Sequence, residues 1–320
     1  MENVAALTRH VRSELAKVLV GQEEIANQLL LVILTGGHAV IEGVPGLAKT
    51  MAVKAMARIC GLGFQRVQCT ADLMPADITG TNVFNLGNST FDLHRGPVFT
   101  DLLLVDEINR TAPRTQAALL EAMEERQVTI DGTRYPLNEN FTVLATQNPV
   151  EFEGTYPLPE AQLDRFLLKI RITYPNAEDE VEILTRHGAG FDARRLNEVE
   201  LIPIDAGLLA AARAEIAQIT VEPAIYAYIV ALTRRTRDWP SVSLGASPRA
   251  AVALFLAARA VAAMGDSDTP GRDYLLPDDV KAVALPVLRH RLLLKPEADL
   301  EGLTTDQVVQ QILSTVEIPK

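Results

Sequence analysis

A glycine-containing loop followed by a lysine and a threonine offers the clearest chemistry in the sequence. The loop, Gly43-Val44-Pro45-Gly46-Leu47-Ala48-Lys49-Thr50, follows an apolar run that ends at Glu42 and precedes a helical pattern. In that setting backbone N–H groups can turn towards a polyphosphate, Lys49 can reach its β and γ oxygens, and the Thr50 hydroxyl can bind Mg²⁺. Ala48 stands where a glycine is usual, and its methyl group matters if the residue needs a positive φ. Taken alone, the segment is also compatible with an ordinary strand–turn–helix corner that carries an incidental lysine.

Acidic and amide side chains follow two further apolar runs. The run Leu102–Val105 ends in Asp106 and Glu107, and Ala145-Thr146-Gln147 is followed by Asn148. At the carboxyl edge of a parallel sheet, Asp106 can hold Mg²⁺ through water and Glu107 can polarise an attacking water. Asn148 can hydrogen-bond that water or a γ-phosphate. The alternatives are acids that end a strand because the chain reaches solvent, and an Asn-Pro turn that ends a strand.

A parallel sheet would bring these residues together, and the hydrophobic pattern predicts one. Short apolar runs typical of strands alternate with helical patterns at Lys49–Cys60 and Pro113–Glu125, which indicates a mostly parallel sheet covered on both faces. The predicted strands are His38–Glu42, Phe64–Cys69, Leu102–Asp106, Thr142–Thr146 and Phe166–Thr173. Two hairpins interrupt the alternation, one over Thr81–Pro97 and one over Gln127–Leu137.

Strand patterns stop after Tyr174-Pro175, and Ala-rich helical patterns follow. Each has Pro, Gly, Ser or Asp near its start, as helix entry requires. They span Ala177–His187, Ala206–Ile219, Pro223–Arg237, Ser247–Met264, Pro277–Arg291 and Thr305–Val316. The sequence therefore predicts an α/β fold in two parts, with an αβα core at residues 1–173 and a smaller, separate all-helical domain at residues 174–320.

The composition is that of an ordinary globular protein and excludes several classes. With 48% hydrophobic and 22% charged residues, the 320-residue chain is neither disordered nor fibrous as a whole. A net charge of −11 gives no overall attraction to nucleic acid or anionic lipid. Cys60 and Cys69 lack the spacing of a disulfide framework or a zinc site, and the sequence has no signal-peptide pattern and no apolar run of the ~20 residues that span a bilayer. We therefore expect a cytoplasmic protein without direct membrane insertion.

Four motifs in a fixed order make a resemblance to a known family specific. The four motifs resemble segments of the AAA+ ATPases, and their residues are most similar to those of the MoxR family. They are GVPGLAKT, LLLVDEINR, ATQNP and LPEAQLDRF. The similarity extends over nearly the whole chain, from VGQ before the first strand to GASPRA and ALPVLRHRL in the helical half. The resemblance implies a P-loop AAA+ core followed by a helical lid. Ala48 also occurs in the loop of this family, which reduces its weight against nucleotide binding.

The resemblance implies ATP and Mg²⁺ as ligands. Lys49 matches the phosphate-binding lysine, and the loop from Gly43 to Ala48 would surround the phosphates. Thr50 and Asp106 match the residues that bind Mg²⁺. Val20 and Gly21 stand where the family packs the adenine.

The resemblance also implies catalytic roles for four side chains. Glu107 matches the catalytic acid, Asn148 the sensor 1 position, Arg249 the sensor 2 arginine of the lid, and Arg165 the arginine finger that enters a neighbouring subunit's site. A well-placed arginine is worth roughly 10³–10⁵ in rate, so hydrolysis would depend on assembly. Without the motif context, Arg165 would be interpreted as part of a surface salt bridge and Arg249 as an exposed charge at a helix start.

The family's biology sets expectations for partners. It implies a homo-oligomeric ring, expected to be a hexamer, that remodels or activates protein clients, often proteins with von Willebrand factor A domains, and in some members helps to insert cofactors or metals. The two hairpins resemble the helix-2 insert and the pre-sensor 1 hairpin of the AAA+ clade that also contains magnesium chelatase subunits and MCM helicases. A nucleic-acid motor, a chelatase-type motor subunit and a nucleotide-gated scaffold remain alternatives. The acidic net charge and hairpins that are not strongly basic argue against nucleic acid.

Overall fold

Five parallel strands form the central sheet. The computed structural model describes residues 1–44, 46–87, 89–148, 154–265 and 269–319, with backbone only for Arg194. The sheet consists of β1 (Ala39–Glu42), β2 (Phe64–Gln68), β5 (Leu102–Asp106), β8 (Thr142–Gln147) and β9 (Leu168–Arg171). They lie in the order β2-β5-β8-β1-β9, and every neighbouring pair is parallel. The predicted strands and the parallel sheet are confirmed.

Each face of the sheet has its own hydrophobic core. Alternate residues of a strand point to opposite faces, so Ile41 and Leu104 join the larger core while Val40 and Val105 join the smaller one. Strands β5 and β8 are buried almost along their full lengths. Because both faces are covered, these strands are continuous apolar runs rather than alternating patterns.

Helices cover the two faces unequally. The larger core is covered by α1 (Glu2–Ala16), α2 (Glu23–Thr35) and α3 (Lys49–Ile59). The smaller core is covered by α4 (Pro75–Thr79) and α5 (Pro113–Glu125). Of these, the predicted helices that flank the chemical motifs, α3 and α5, are confirmed.

Two antiparallel hairpins complete the first half of the chain. Strand β3 (Gly80–Asn85) pairs with β4 (Thr90–Arg95), and β6 (Gln127–Ile130) pairs with β7 (Thr133–Pro136). Both predicted hairpins are confirmed. The Nδ2 atom of Asn82 donates to Oδ2 of Asp131 at 2.9 Å, so the two hairpins contact each other.

The second half is mostly helical and contains one short β ladder among its described residues. After α6 (Glu160–Leu163) and β9, the helices are α7 (Ala177–Gly188), α8 (Leu208–Ala217), α9 (Pro223–Arg237), α10 (Pro248–Met264), α11 (Pro277–Leu288), α12 (Pro296–Leu300) and α13 (Thr305–Thr315). Strands β10 (Val242–Leu244) and β11 (Leu293–Leu294) pair antiparallel. The expectation of an all-helical domain missed this ladder because two or three residues carry no recognisable alternation.

The N-terminal helices pack against the helical half. Asn3 Nδ2 on α1 donates to Glu215 Oε1 on α8 at 2.7 Å, and Arg213 Nη2 on α8 donates to the carbonyl oxygen of Ile33 at 2.6 Å. The larger core is continuous from α1 through α10 and α11. The division of the chain at residues 173 and 174 stays a prediction. In the described ranges, no helix is both long enough and apolar enough to cross a membrane.

Candidate functional site

The phosphate-loop motif lies between β1 and α3, as its sequence requires. Gly43 is buried, and a Cβ there would lie 3.0 Å from the carbonyl oxygen of Ile172. Gly46 has φ +87°, which glycine adopts without strain. Ala48 has φ 55° and ψ 20°, the left-handed conformation, immediately before the first residue of α3. Val44 and Leu47 are packed against the larger core, and Pro45 lies outside the described residues.

Lys49 occupies the start of α3 and points back into its own loop. Its Nζ donates to the carbonyl oxygen of Gly43 at 2.5 Å. Burial lowers the pKa of the Lys49 ammonium, while the nearby carboxylates of Asp106 and Glu107 oppose that shift. Thr50 follows on the first turn of α3 and is half-buried. A cation held close to two acids, beside the N-terminus of a helix, fits a bound polyphosphate.

Asp106 and Glu107 lie at the carboxyl edge of the sheet, as predicted. The Oγ1 of Thr146 on β8 donates to Asp106 Oδ1 at 3.2 Å, and it accepts the backbone N–H of Glu107 at 2.9 Å. Glu107 itself is left-handed, with φ 57° and ψ 51°. Strained backbone of this kind is concentrated at functional sites, where the surroundings hold it in place.

Two side chains of the edge strand β2 contact the acids. Arg66 Nε forms an ion pair with Asp106 Oδ2 at 2.6 Å, and Gln68 Nε2 donates to Glu107 Oε2 at 3.0 Å. Arg66 and Gln68 are two residues apart on β2, so they share one face of the strand, and Arg66 Nη2 also donates to Gln68 Oε1 at 3.1 Å. The same Glu107 oxygen pairs with Arg110 Nε at 3.0 Å. Both acids therefore carry cationic or amide partners.

Asn148 follows β8 directly and is 7% exposed. Because β8 lies between β5 and β1, this residue stands between the strand that ends in the acids and the strand that leads into the phosphate loop. The structure thus brings Lys49, the acids and Asn148 to one edge of the sheet, as the order of the motifs predicts.

An apolar cavity of about 430 Å³ opens beside the phosphate loop. Its lining includes Val18, Val20, Met51, Ile183 and Phe191, together with the loop residues from Gly46 to Ala48. A mostly apolar cavity of this size that adjoins polar groups is typical of small-molecule sites, and an adenine ring suits it.

The two residues expected to pack the adenine differ in position. Val20 lines the apolar cavity, and it lines a neighbouring cavity together with Gly21. Gly21 also lines a polar cavity that Val20 does not reach. Gly21 has φ +65°, and a Cβ there would lie 1.9 Å from Oδ2 of Asp179 on α7. Gly21 therefore allows α7 to approach the turn between α1 and α2, and α7 in turn supplies Ile183 to the cavity.

Arg165 and Arg249 meet at a different place. Arg165 Nη2 lies 2.9 Å from Oε2 of Glu124, and Arg249 Nη2 lies 2.6 Å from Oε1 of the same carboxylate. We call Arg165 and Arg249 the arginine pair. Among the described residues, no hydrogen bond or ion pair joins the arginine pair to Lys49 or to the two acids. Arg249 is thus placed beside Arg165, on the same carboxylate.

Asp164 fixes the turn that presents Arg165. Its carboxylate accepts from Ser247 Oγ at 2.8 Å and from Arg291 Nε at 2.8 Å. Arg291 is buried, and burial lowers the pKa of its guanidinium while Asp164 opposes the shift. Both carboxylate oxygens of Asp164, the acid adjacent to Arg165, therefore accept hydrogen bonds from the helical half.

Sequence reasoning missed several of these side chains. Arg66 and Gln68 lie at alternate positions of a strand, which is a detectable signal once β2 is known to lie next to β5. Thr146 precedes Asn148 by two residues and carries a hydroxyl at a strand end. Glu124 offers no local signal, because its role depends on how α5 meets the two arginines.

Comparisons with known proteins agree with this geometry. The model of the "ATPase family associated with various cellular activities (AAA)" matches residues 38–168, and the AAA lid domain model matches residues 234–312. The chaperone MoxR1 of Mycobacterium tuberculosis is 41% identical over 96% of this chain and 81% of its own. An uncharacterized protein of Bacillus subtilis, YeaC, is 44% identical over 95% of this chain and 92% of its own.

A solved structure supports the same assignment across the whole chain. A crystal structure of a Cytophaga hutchinsonii protein provisionally named an ATPase has a TM-score of 0.87 and 42% identity, and the match covers 100% of this chain and 98% of that one. These relatives match the chain nearly from end to end. The matched part therefore includes the central sheet, the loop before α3 and the acids at the end of β5. On this combined evidence, the protein belongs to the MoxR family of AAA+ ATPases.

Proposed function

We propose that this protein binds ATP with Mg²⁺ and hydrolyses it in a homo-oligomeric ring, expected to be a hexamer. The observation that carries the proposal is the meeting of Lys49, Asp106 and Glu107 at one edge of the sheet, beside an apolar cavity. Phosphoryl transfer needs positioning and charge neutralisation more than covalent chemistry, and these residue types supply both.

Each residue of the site has a role in this proposal. The loop and Lys49 hold the β and γ phosphates, Thr50 and Asp106 hold Mg²⁺, and Glu107 orients and polarises the attacking water. Mg²⁺, when bound, neutralises charge on the phosphate oxygens. Arg66 would compete with Mg²⁺ for the Oδ2 atom of Asp106. Asn148 orients the water or the γ-phosphate.

The arginine pair is proposed to serve the nucleotide of a neighbouring subunit. Both guanidinium groups lie on Glu124, and neither contacts the described phosphate-binding residues of its own chain. Their exposed side-chain fractions are 31% for Arg165 and 47% for Arg249, so an incoming subunit can reach them.

The use of the hydrolysis energy is proposed to be remodelling or activation of protein clients. One relative is named a chaperone. The hairpin of β3 and β4 exposes the rings of Phe84 and Phe91, which pack on each other at 5.2 Å, and it also exposes Leu86. Such an apolar patch suits a protein surface. More specifically, we propose that the clients have von Willebrand factor A domains and that the protein acts in the cytoplasm, where it helps to insert cofactors or metals.

The test is ATPase activity per subunit, measured with Mg²⁺ over a wide range of protein concentration. Specific activity that climbs with concentration is expected because sites are completed between subunits. Lys49→Ala should lose nucleotide binding, Glu107→Gln should bind without turnover, and Arg165→Ala should bind normally but fail to turn over. Glu121→Gln, the same kind of change on an exposed acid of α5, is the matched control.

The outcomes separate the proposal from its rivals. High activity at every concentration, or wild-type turnover in Arg165→Ala, would contradict an active site completed by an arginine of the neighbouring subunit. Binding without turnover under all conditions would favour the nucleotide-gated scaffold. Stimulation by DNA would favour a nucleic-acid motor, and a requirement for a porphyrin-binding partner would favour a chelatase-type subunit.

A further inference from the structure

Glu124 lies at an unusual point for a negative charge. It is the penultimate residue of α5, followed by Glu125, and no basic residue lies in the last turn of this helix. Carboxylates are disfavoured at a helix C-terminus, where the backbone carbonyls carry partial negative charge. Helix stability therefore does not account for Glu124.

Arg249 presents the mirror image of this arrangement. It is the second residue of α10, whose first turn contains no acid. Cations are disfavoured at a helix N-terminus, where N–H groups carry partial positive charge. Two charges that oppose their own helix dipoles thus meet in one ion pair of 2.6 Å, and each compensates the other.

The same carboxylate also holds Arg165, and the nearest acid in sequence is not free to do so. Asp164 accepts from Ser247 and Arg291 with both of its oxygens. Glu124 uses one oxygen for each member of the arginine pair. Without this carboxylate, two like charges would be left side by side and would repel each other.

The arginine pair keeps donors available while it is held. A guanidinium carries five N–H donors, and each arginine approaches Glu124 most closely through its Nη2 atom. Neither arginine makes another side-chain hydrogen bond or ion pair within the described ranges. N–H groups that do not face Glu124 can donate to phosphate oxygens without loss of the contact with Glu124.

We propose that Glu124 is a positioning residue: it presents Arg165 and Arg249 as a pair to the nucleotide of the neighbouring subunit. This inference rests on the proposed function, because it requires the arginines to act between subunits. Glu124 belongs to α5, which is anchored in the smaller core by Leu119, Leu120 and Met123. The carboxylate thus ties a residue of the lid and a residue of the α6–β9 turn to one fixed helix.

The test places Glu124→Ala in one of two complementing subunits. Glu107→Gln subunits cannot hydrolyse but still donate arginines, and Arg165→Ala subunits have an intact acid but no finger. Their mixture recovers activity where the second type faces the first. Glu124→Ala in the donor should lower kcat of the mixture by roughly 10- to 100-fold, since a small misplacement of a catalytic group costs up to about 100-fold. The same change in the acceptor should leave kcat unchanged.

Further readouts exclude a general structural defect. KM for ATP should move by less than about threefold, because nucleotide-binding groups lie elsewhere. Glu124→Asp in the donor should restore part of the rate, since it keeps the charge but shortens the side chain. Glu297→Ala, the same change on an exposed acid of α12, is the control and should behave as wild type. Glu124→Gln serves if the alanine variant fails to fold.

Each other result contradicts the inference. Equal losses with Glu124→Ala in donor and acceptor would indicate damage within the subunit. No loss on either side would mean that the arginines need no carboxylate, and a gain would mean that Glu124 restrains them. If the parent mixture without any Glu124 change recovers nothing, the shared site itself is wrong and this inference falls with it.

Discussion

His38 stands immediately before the strand that leads into the phosphate loop, and it provides a quantitative test of the fold. Its Nε2 lies 3.2 Å from the carbonyl oxygen of Met123, to which it donates, and its Nδ1 accepts the N–H of Val143 at 2.9 Å. The ring therefore links β1, β8 and the end of α5 in its neutral form. Burial lowers the pKa of His38 from 6.5 to about 4, opposed by the bond to Met123 and assisted by the charge of Arg126.

The sign of the pH effect follows from this shift. Below pH 6.5 the unfolded chain takes up a proton at His38 that the folded chain refuses, so stability is complete above pH 6.5 and is lost progressively as the pH falls towards 4. The same linkage gives a loss of about 1.4 kcal/mol between pH 7.5 and 5.5. His290 is also buried, with its pKa lowered by burial, and adds its own loss.

The assay compares the free energy of unfolding in urea at pH 7.5 and 5.5 for the wild type and His38→Gln. Glutamine can still donate to Met123 and accept from Val143, but it does not titrate. The variant should lose about 1.4 kcal/mol less than the wild type over this interval, because the contribution of His290 cancels in the difference. His94→Gln on the exposed strand β4 is the control and should follow the wild type. Identical pH dependence in His38→Gln and wild type would refute the reasoning.

Two further predictions concern the nucleotide site itself. Ala48→Gly should raise the free energy of unfolding by up to about 1 kcal/mol, because relief of roughly 1–2 kcal/mol of left-handed strain exceeds the entropy cost of glycine. Ala52→Gly, inside α3, should instead lower the free energy of unfolding by about 1 kcal/mol. Urea titrations measure both variants, and equal effects would contradict this prediction. Arg66→Ala should lower the Mg²⁺ concentration for half-maximal nucleotide binding by up to about fivefold, since an ion pair whose arginine is half-exposed is worth up to about 1 kcal/mol. This concentration is measured by titrating fluorescent ATP and the protein with Mg²⁺. Arg171→Ala is the control, because Arg171 pairs with Glu42 and Asp306 instead. An unchanged Mg²⁺ dependence in Arg66→Ala would show that Arg66 does not compete for Asp106.

The sequence predicts the sheet and the phosphate-binding edge because both depend on local patterns. Apolar runs such as Leu102–Val105 indicate buried strands, and the residues that end those strands must meet once the strands are parallel. The hairpins are also local, since each depends on one turn. The sequence also shows that Ala48 stands where a glycine is usual, which matters only if this residue has a positive φ. The structure gives Ala48 a φ of 55°.

Other features depend on tertiary arrangement and leave no local signal. The contact of Arg66 with Asp106 requires β2 to lie next to β5, which follows from strand order and not from either segment alone. The position of Arg249 depends on the tertiary arrangement that brings the start of α10 to Glu124 on α5, so a motif match proposes a role for Arg249 but does not predict this contact. Glu124 becomes visible as a partner only when both arginines are in place.

The strain in the site is concentrated on the two sides of β8. Ala48 follows β1 and Glu107 follows β5, and both are left-handed at a cost of roughly 1–2 kcal/mol each. Strand β8 lies between β1 and β5, and its Thr146 hydroxyl holds both the Asp106 carboxylate and the Glu107 N–H. Because one hydroxyl contacts both the Asp106 carboxylate and the Glu107 backbone, the middle strand sets the position of one acid relative to the backbone of the other. A shift of β8 against β5 would break both bonds at once, so the active arrangement is tied to the integrity of the sheet.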